Sequence, residues 1–163
     1  MKTSDPDKLF DLALEASQAN DTQKSIHYIK SAINESPEDA RMYCMLGSLY
    51  TDIGIYDKAI LNMEKALELD ESYHIARFHL GLLYLMGSRQ NDCENTWRLL
   101  DTLDDEHYLN LFKEGLLEIV HDNVREGIAL IQRGIDNNHI NESLNHDMKL
   151  AIENARFSLS VNQ

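Results

Sequence analysis

The residues able to do chemistry here are seven histidines, two cysteines and a set of glycines. Two imidazoles on a helix share a metal when they stand at i and i+4. His74 and His79 are five apart, and no Glu completes a zinc motif around them. They are read instead as a helix start (His74) and a rim position (His79), while His139 and His146 flank a loop and read as solvated. A cysteine nucleophile needs a base and an electropositive setting. Cys44 has only Arg41 near it, although it reads as the more accessible of the two, and Cys93 reads as an inert core residue. The two thiols make no disulfide framework. A Gly-rich loop could cradle phosphate, but the glycines fall inside helical patterns. No catalytic constellation results. The expectation is a protein that is not an enzyme and uses no cofactor and no metal.

The glycines have another explanation. Gly47, Gly81 and Gly115 are spaced 34 residues apart, and Ala13 stands one period earlier. Twelve residues after each comes another small residue, Ser25, Ala59, Cys93 and Gly127, and four residues later a large one, Ile29, Met63, Trp97 and Ile131. A fixed period of this length marks a stacked helical unit. Each period reads as two helices: ARMYCMLGSLYTDIG and YDKAILNMEKALELD carry apolar residues at three- and four-residue spacing, with Gly54 as a stop between them. Antiparallel helices approach closely only where a side chain shrinks to hydrogen or methyl. Gly47 and Ala59 are placed at such a crossing, with Leu46, Tyr50 and Met63 packed around it. Ser4-Asp5-Pro6 offers an N-cap followed by Pro in the first turn. After the fourth period, Leu144, Met148, Ala151, Ile152, Ala155 and Leu159 form one stripe, the pattern of an amphipathic helix that caps an array.

Composition narrows the partners. The 163 residues are 43% hydrophobic, with only 2 Pro and 7 Gly, which favours long helices. The net charge of −13, with no Lys/Arg stripe to offset it, argues against nucleic acid and anionic membrane surfaces. MKTSDPDKLF has no apolar signal-peptide core, and no apolar run reaches the roughly 20 residues of a membrane span, so a cytoplasmic location is expected. The acidic runs Glu68–Glu71 and Asp104–Glu106 fall between repeats, as solvated loops or as edges for a basic partner segment.

With Tyr43, Leu46, Gly47, Tyr50, Ala59, Met63 and Ala66, the second period resembles the tetratricopeptide repeat family. The first contributes Leu9, Leu12, Ala13, Ala16, Ser25, Ile29, Ala32 and Pro37, and the third Leu80, Gly81, Tyr84, Cys93 and Trp97. The fourth departs, with Glu114 and Glu118 where Leu and Tyr are expected, although Gly115, Gly127 and Ile131 fit. The resemblance implies an all-α, right-handed superhelical solenoid in a single domain, 1–163. Four helix pairs would cover residues 6–39, 40–73, 74–107 and 108–141, with a capping helix at 142–160. It also implies a protein-binding module whose concave groove faces the first helix of each pair. Members that bind chaperone C-termini hold the terminal carboxylate with Lys, Asn and Arg. The matching positions here are Phe10, Leu14, Met45, Ile75 and His79, so that clamp is missing. In size, charge and repeat type the chain is similar to bacterial secretion chaperones.

His79–Gly87, HLGLLYLMG, is apolar almost all round, whereas a surface helix keeps one polar face. Leu80, Gly81 and Tyr84 belong to the repeat columns. Ile75, Phe78, Leu82, Leu85 and Met86 lie on roughly the opposite side, toward the expected groove. Phe10 and Leu14 do so in the first period, and Leu109, Phe112, Leu116, Ile119 and Val120 in the fourth. The second is mostly polar there, with Arg41, Cys44, Ser48, Thr51 and Asp52. Burying one large apolar side chain contributes roughly 1.5–3 kcal/mol, so such a surface does not stay bare. Neighbouring helices and the cap could cover it. It could take an apolar or amphipathic segment of a partner protein, as a scaffold or chaperone-like module does. Or it could join two copies as a homodimer.

Overall fold

The computed structural model describes residues 5–162. Polar side chains close the first turns of several helices, satisfying amides that have no partner within the helix. Asp5 accepts from the Asp7 amide at the start of α1 (Pro6–Gln18), where Pro6 occupies the first turn; Ser4 of the same stretch lies outside the described residues. Asp21 accepts from Lys24 at α2 (Thr22–Glu35), and Asp39 from Arg41 at α3 (Ala40–Asp52). α4 (Tyr56–Leu69) starts at Ile55 without a side-chain cap. α5 (His74–Met86), α6 (Gln90–Trp97), α7 (Tyr108–Val120), α8 (Val124–Asn137) and α9 (Glu142–Val161) follow, and Asn141 caps α9. Among the described residues there is no strand.

The turn inside each pair repeats to the residue. Asn20, Gly54, Ser88 and Asp122 adopt φ of 60°, 75°, 58° and 66°, and they are spaced by 34. Left-handed backbone suits Gly and small polar residues, and these four fill every such position.

The chain divides into two compact units, Met1–Thr96 and Trp97–Gln163. In the first, α1 pairs with α2 and α3 with α4, α2 packs on α3, and α4 on α5. The Ser25 hydroxyl crosses the first hairpin and donates to the Ala13 carbonyl at 2.7 Å, in a fully buried site. At the matching point of the second hairpin, a Cβ on Gly47 would stand 3.0 Å from Met63 Cε and 3.2 Å from the Ala59 carbonyl. Gly81 and Cys93 are both buried. Ile29, Ala32, Met63 and Ala66 fill the core between helices, and the Tyr84 hydroxyl of α5 donates to Glu64 of α4 at 2.9 Å.

The second helix of the third pair is shorter than the repeat pattern implies: α6 ends at Trp97 and the backbone tightens into a 3₁₀ turn over Arg98–Thr102. Leu100, fully buried, stands in the column that holds Ala32, Ala66 and Gly134 elsewhere. A bulky residue falls where the other pairs keep a small one, and it lies in the 3₁₀ turn that follows the end of the regular helix.

In the second unit α7 and α8 approach more closely still. A Cβ on Gly127 would lie 2.5 Å from the Gly115 carbonyl, and one on Gly134 would lie 2.5 Å from the Phe112 ring. Glu114 and Glu118, which break the repeat pattern, have polar work: Glu114 pairs with Lys113 at 3.0 Å, and Glu118 accepts from Asn123 at 2.7 Å. The Lys113 ammonium is buried and also pairs with Asp101. α9 packs on α8 with Leu144, Met148, Ile152 and Ala155 buried. Two buried amides pin the connection: Asn138 donates to Asn145 Oδ1 at 2.9 Å and Asn145 returns a bond to the Asn138 carbonyl at 3.0 Å. Each satisfies the other, which removes the penalty of burying them.

Candidate partner-binding face

Residues 34 apart hold equivalent places on successive first helices. Within the unit Met1–Thr96 this gives the rows Phe10/Cys44/Phe78, Leu14/Ser48/Leu82, Ser17/Thr51/Leu85 and Gln18/Asp52/Met86 on α1, α3 and α5. A direct contact fixes the register between α1 and α3: Arg41 donates to Asp7, its counterpart one period earlier, at 2.9 Å, with its guanidinium 5.3 Å from the centre of the Phe10 ring.

The rows differ in depth. Phe78 is 0% and Cys44 5% exposed, so the first row is largely interior. Leu14 (44%) and Met86 (57%) are open, and Phe10, Ile75, Leu82 and Leu85 are half-buried. Between the apolar positions of α1 and α5, α3 offers Ser48, Thr51 and Asp52. The Asp52 carboxylate is exposed and forms no ion pair or hydrogen bond with the described residues, while partial desolvation holds its pKa above the usual value. Arg41 cannot serve it, because that guanidinium is held by Asp39 at 2.6 Å and by Asp7. Those hydrogen bonds raise the Arg41 pKa and lower that of Asp39.

Several residues assigned to the groove from sequence lie elsewhere. Cys44 is buried rather than accessible, and desolvation pushes its thiol up to about 12. His79 is largely buried rather than at a rim, and burial pushes its pKa down to about 4. In the second unit, Leu109 (1%), Phe112 (0%) and Leu116 (9%) are interior. The physical cause is clear for Phe112: its ring lies over Gly134 of α8 and meets Tyr108 edge-on at 5.9 Å. Gly134 stands 68 residues after Ala66 in the same column, a third small position that marks this contact in the sequence. Ile119 is half-buried and Val120 exposed, so the groove-facing side of α7 opens only at its C-terminal end. Among the described residues, no group of three or more His, Cys, Asp or Glu is arranged to hold a metal, and no helix is long and apolar enough to cross a membrane.

Residues 40–73 match the tetratricopeptide repeat family. No curated protein matches the sequence. Solved structures resemble the fold over most of its length. MamA from Desulfovibrio magneticus RS-1 is 15% identical, covers 97% of this chain and 93% of its own, and superposes with a TM-score of 0.65. The Arabidopsis OM64 TPR domain is 16% identical over 69% of this chain and 93% of its own, with a TM-score of 0.64. SycD, the Yersinia enterocolitica type III secretion translocator chaperone (alternative dimer), is 17% identical over 97% and 98%, with a TM-score of 0.55. At these identities the likeness is one of fold. Residues 40–73 thus match a tetratricopeptide repeat, and the helix pairs share the fold of tetratricopeptide repeat structures.

Proposed function

We propose that the chain is a non-catalytic protein-interaction module, a scaffold or chaperone, whose open rows on α1, α3 and α5 take an amphipathic segment of a partner protein. The observation that carries this is the in-register placing of exposed Leu14 and Met86 and half-buried Leu82 and Leu85 around an Asp52 carboxylate that has no partner among the described residues. The occupant is therefore an apolar segment, helical or extended, with a Lys or Arg placed to meet Asp52. Apolar burial supplies the affinity, and the carboxylate sets register and direction. The fold shared with a secretion chaperone supports a binding role, and the absent carboxylate clamp argues against acidic C-terminal tails.

Selection from a displayed library of amphipathic peptides tests this. Enriched sequences should carry apolar residues at helical or alternating spacing and a basic residue, and Asp52→Asn should remove the basic preference. Met86→Asp and Leu82→Asp should weaken the selected peptides roughly tenfold or more, with helical circular dichroism unchanged. No enrichment, or binding indifferent to both substitutions, would discard the proposal.

A further inference from the structure

A helix that ends a stack is expected to be polar on its outer side. α9 is not. Opposite its buried stripe it exposes Leu150 (46%), Phe157 (69%) and Val161 (66%). These follow one another by seven and four residues, which places them within about 40° on a helix turning about 100° per residue. They form a single apolar strip on the solvent side of the unit Trp97–Gln163. Phe157 and Val161 leave about two thirds of their surface uncovered by that packing.

Charge indicates what covers the strip. The whole chain carries 28 acidic against 15 basic residues, yet α9 holds three acidic (Glu142, Asp147, Glu153) and two basic (Lys149, Arg156). A second copy meets a nearly neutral face here, with no large excess of like charge to oppose its approach. We propose that the outer face of α9 pairs with the same face of a second copy, the two helices running antiparallel about a two-fold axis. With the axis between residues 155 and 156, Leu150 lies opposite Val161 of the second copy and the two Phe157 rings flank the axis. Glu153 and Arg156 are exposed on one flank of the strip. In this register Glu153 of each copy comes level with Arg156 of the other to within about 3 Å along the axis, at about 1.5 Å rise per residue. Self-complementarity of this kind is what a two-fold interface requires. A stable interface covers roughly 800 Å² on each partner, more than one helix face offers, so the dimer is weak and concentration-dependent.

Sedimentation of the full chain over a wide concentration range tests this. The wild type should shift from monomer toward dimer mass as concentration rises, and Phe157→Asp should abolish the shift while leaving circular dichroism and the thermal transition in place. Glu153→Arg should weaken the dimer, and adding Arg156→Glu should restore it, because the ion pairs are rebuilt with reversed polarity. A wild type that is monomeric throughout, a dimer that Phe157→Asp leaves intact, or a double exchange that fails to restore would each overturn the proposal. Phe157 lies in the other unit from Leu82 and Met86, so failure here leaves the peptide-binding test unaffected.

Discussion

His79 ties protonation to folding. Its folded pKa is about 4 against 6.5 for an ordinary imidazole, because desolvation disfavours the cation. Between those values the unfolded chain binds the proton and the folded chain does not, so stability is full above 6.5 and falls as pH drops toward 4. The shift corresponds to at most roughly 3 kcal/mol. Urea unfolding across that window should show a loss for the wild type that is clearly smaller in His79→Gln. Equal losses in both would mean that the imidazole is solvated. Position in the sequence suggested a rim for His79 and an open thiol for Cys44; depth in the fold decided against both, since depth depends on neighbours far along the chain.

The helix pairs show how one spacing serves different degrees of closeness. Replacing a helical Gly by Ala gains about 1 kcal/mol in helix propensity. At Gly47 the new methyl meets the end of the unbranched Met63 side chain at 3.0 Å and the Ala59 carbonyl at 3.2 Å, contacts that need shifts of only a few tenths of an ångström, and the two effects nearly cancel. At Gly127 it would meet the Gly115 carbonyl at 2.5 Å and Ile119 at 2.6 Å, where the backbone itself must move. Gly47→Ala is therefore expected to stay within about 1 kcal/mol of the wild type, whereas Gly127→Ala loses about 1–3 kcal/mol or more. Thermal denaturation of the two variants would show the order, and a reversal would refute the close contact. Both glycines were visible as a column in the sequence. Their unequal tolerance was not, because it depends on a few tenths of an ångström between two backbones.

Across the whole molecule, the net charge of −13 shapes how partners arrive. Acidic surface attracts a basic segment over distance, and salt shortens that reach from about 10 Å at 0.1 M to about 3 Å at 1 M. For a selected Lys- or Arg-bearing peptide, rising salt should slow association markedly and change dissociation little, because apolar burial holds the complex. Asp52→Asn should flatten part of that dependence in stopped-flow binding. A salt-independent association rate would remove electrostatics from the proposed role.

The sequence alone determined an all-helical chain of repeated helix pairs, the amphipathic last helix and the small residues where helices cross. These follow from local periodicity: an apolar stripe every three to four residues and a small residue every 34 are written in the chain itself. Of the four left-handed turn positions only Gly54 was read from the sequence, as a helix stop; Asn20, Ser88 and Asp122 share its period, but the structure first showed their backbone. Tertiary structure alone decided which apolar residues remain open. Phe112 and Met86 are both large and apolar in the same kind of pattern, yet one is sealed over Gly134 and the other is 57% exposed. Solvent exposure is set by what packs across from a residue, and one helix's periodicity does not encode its neighbour's distance.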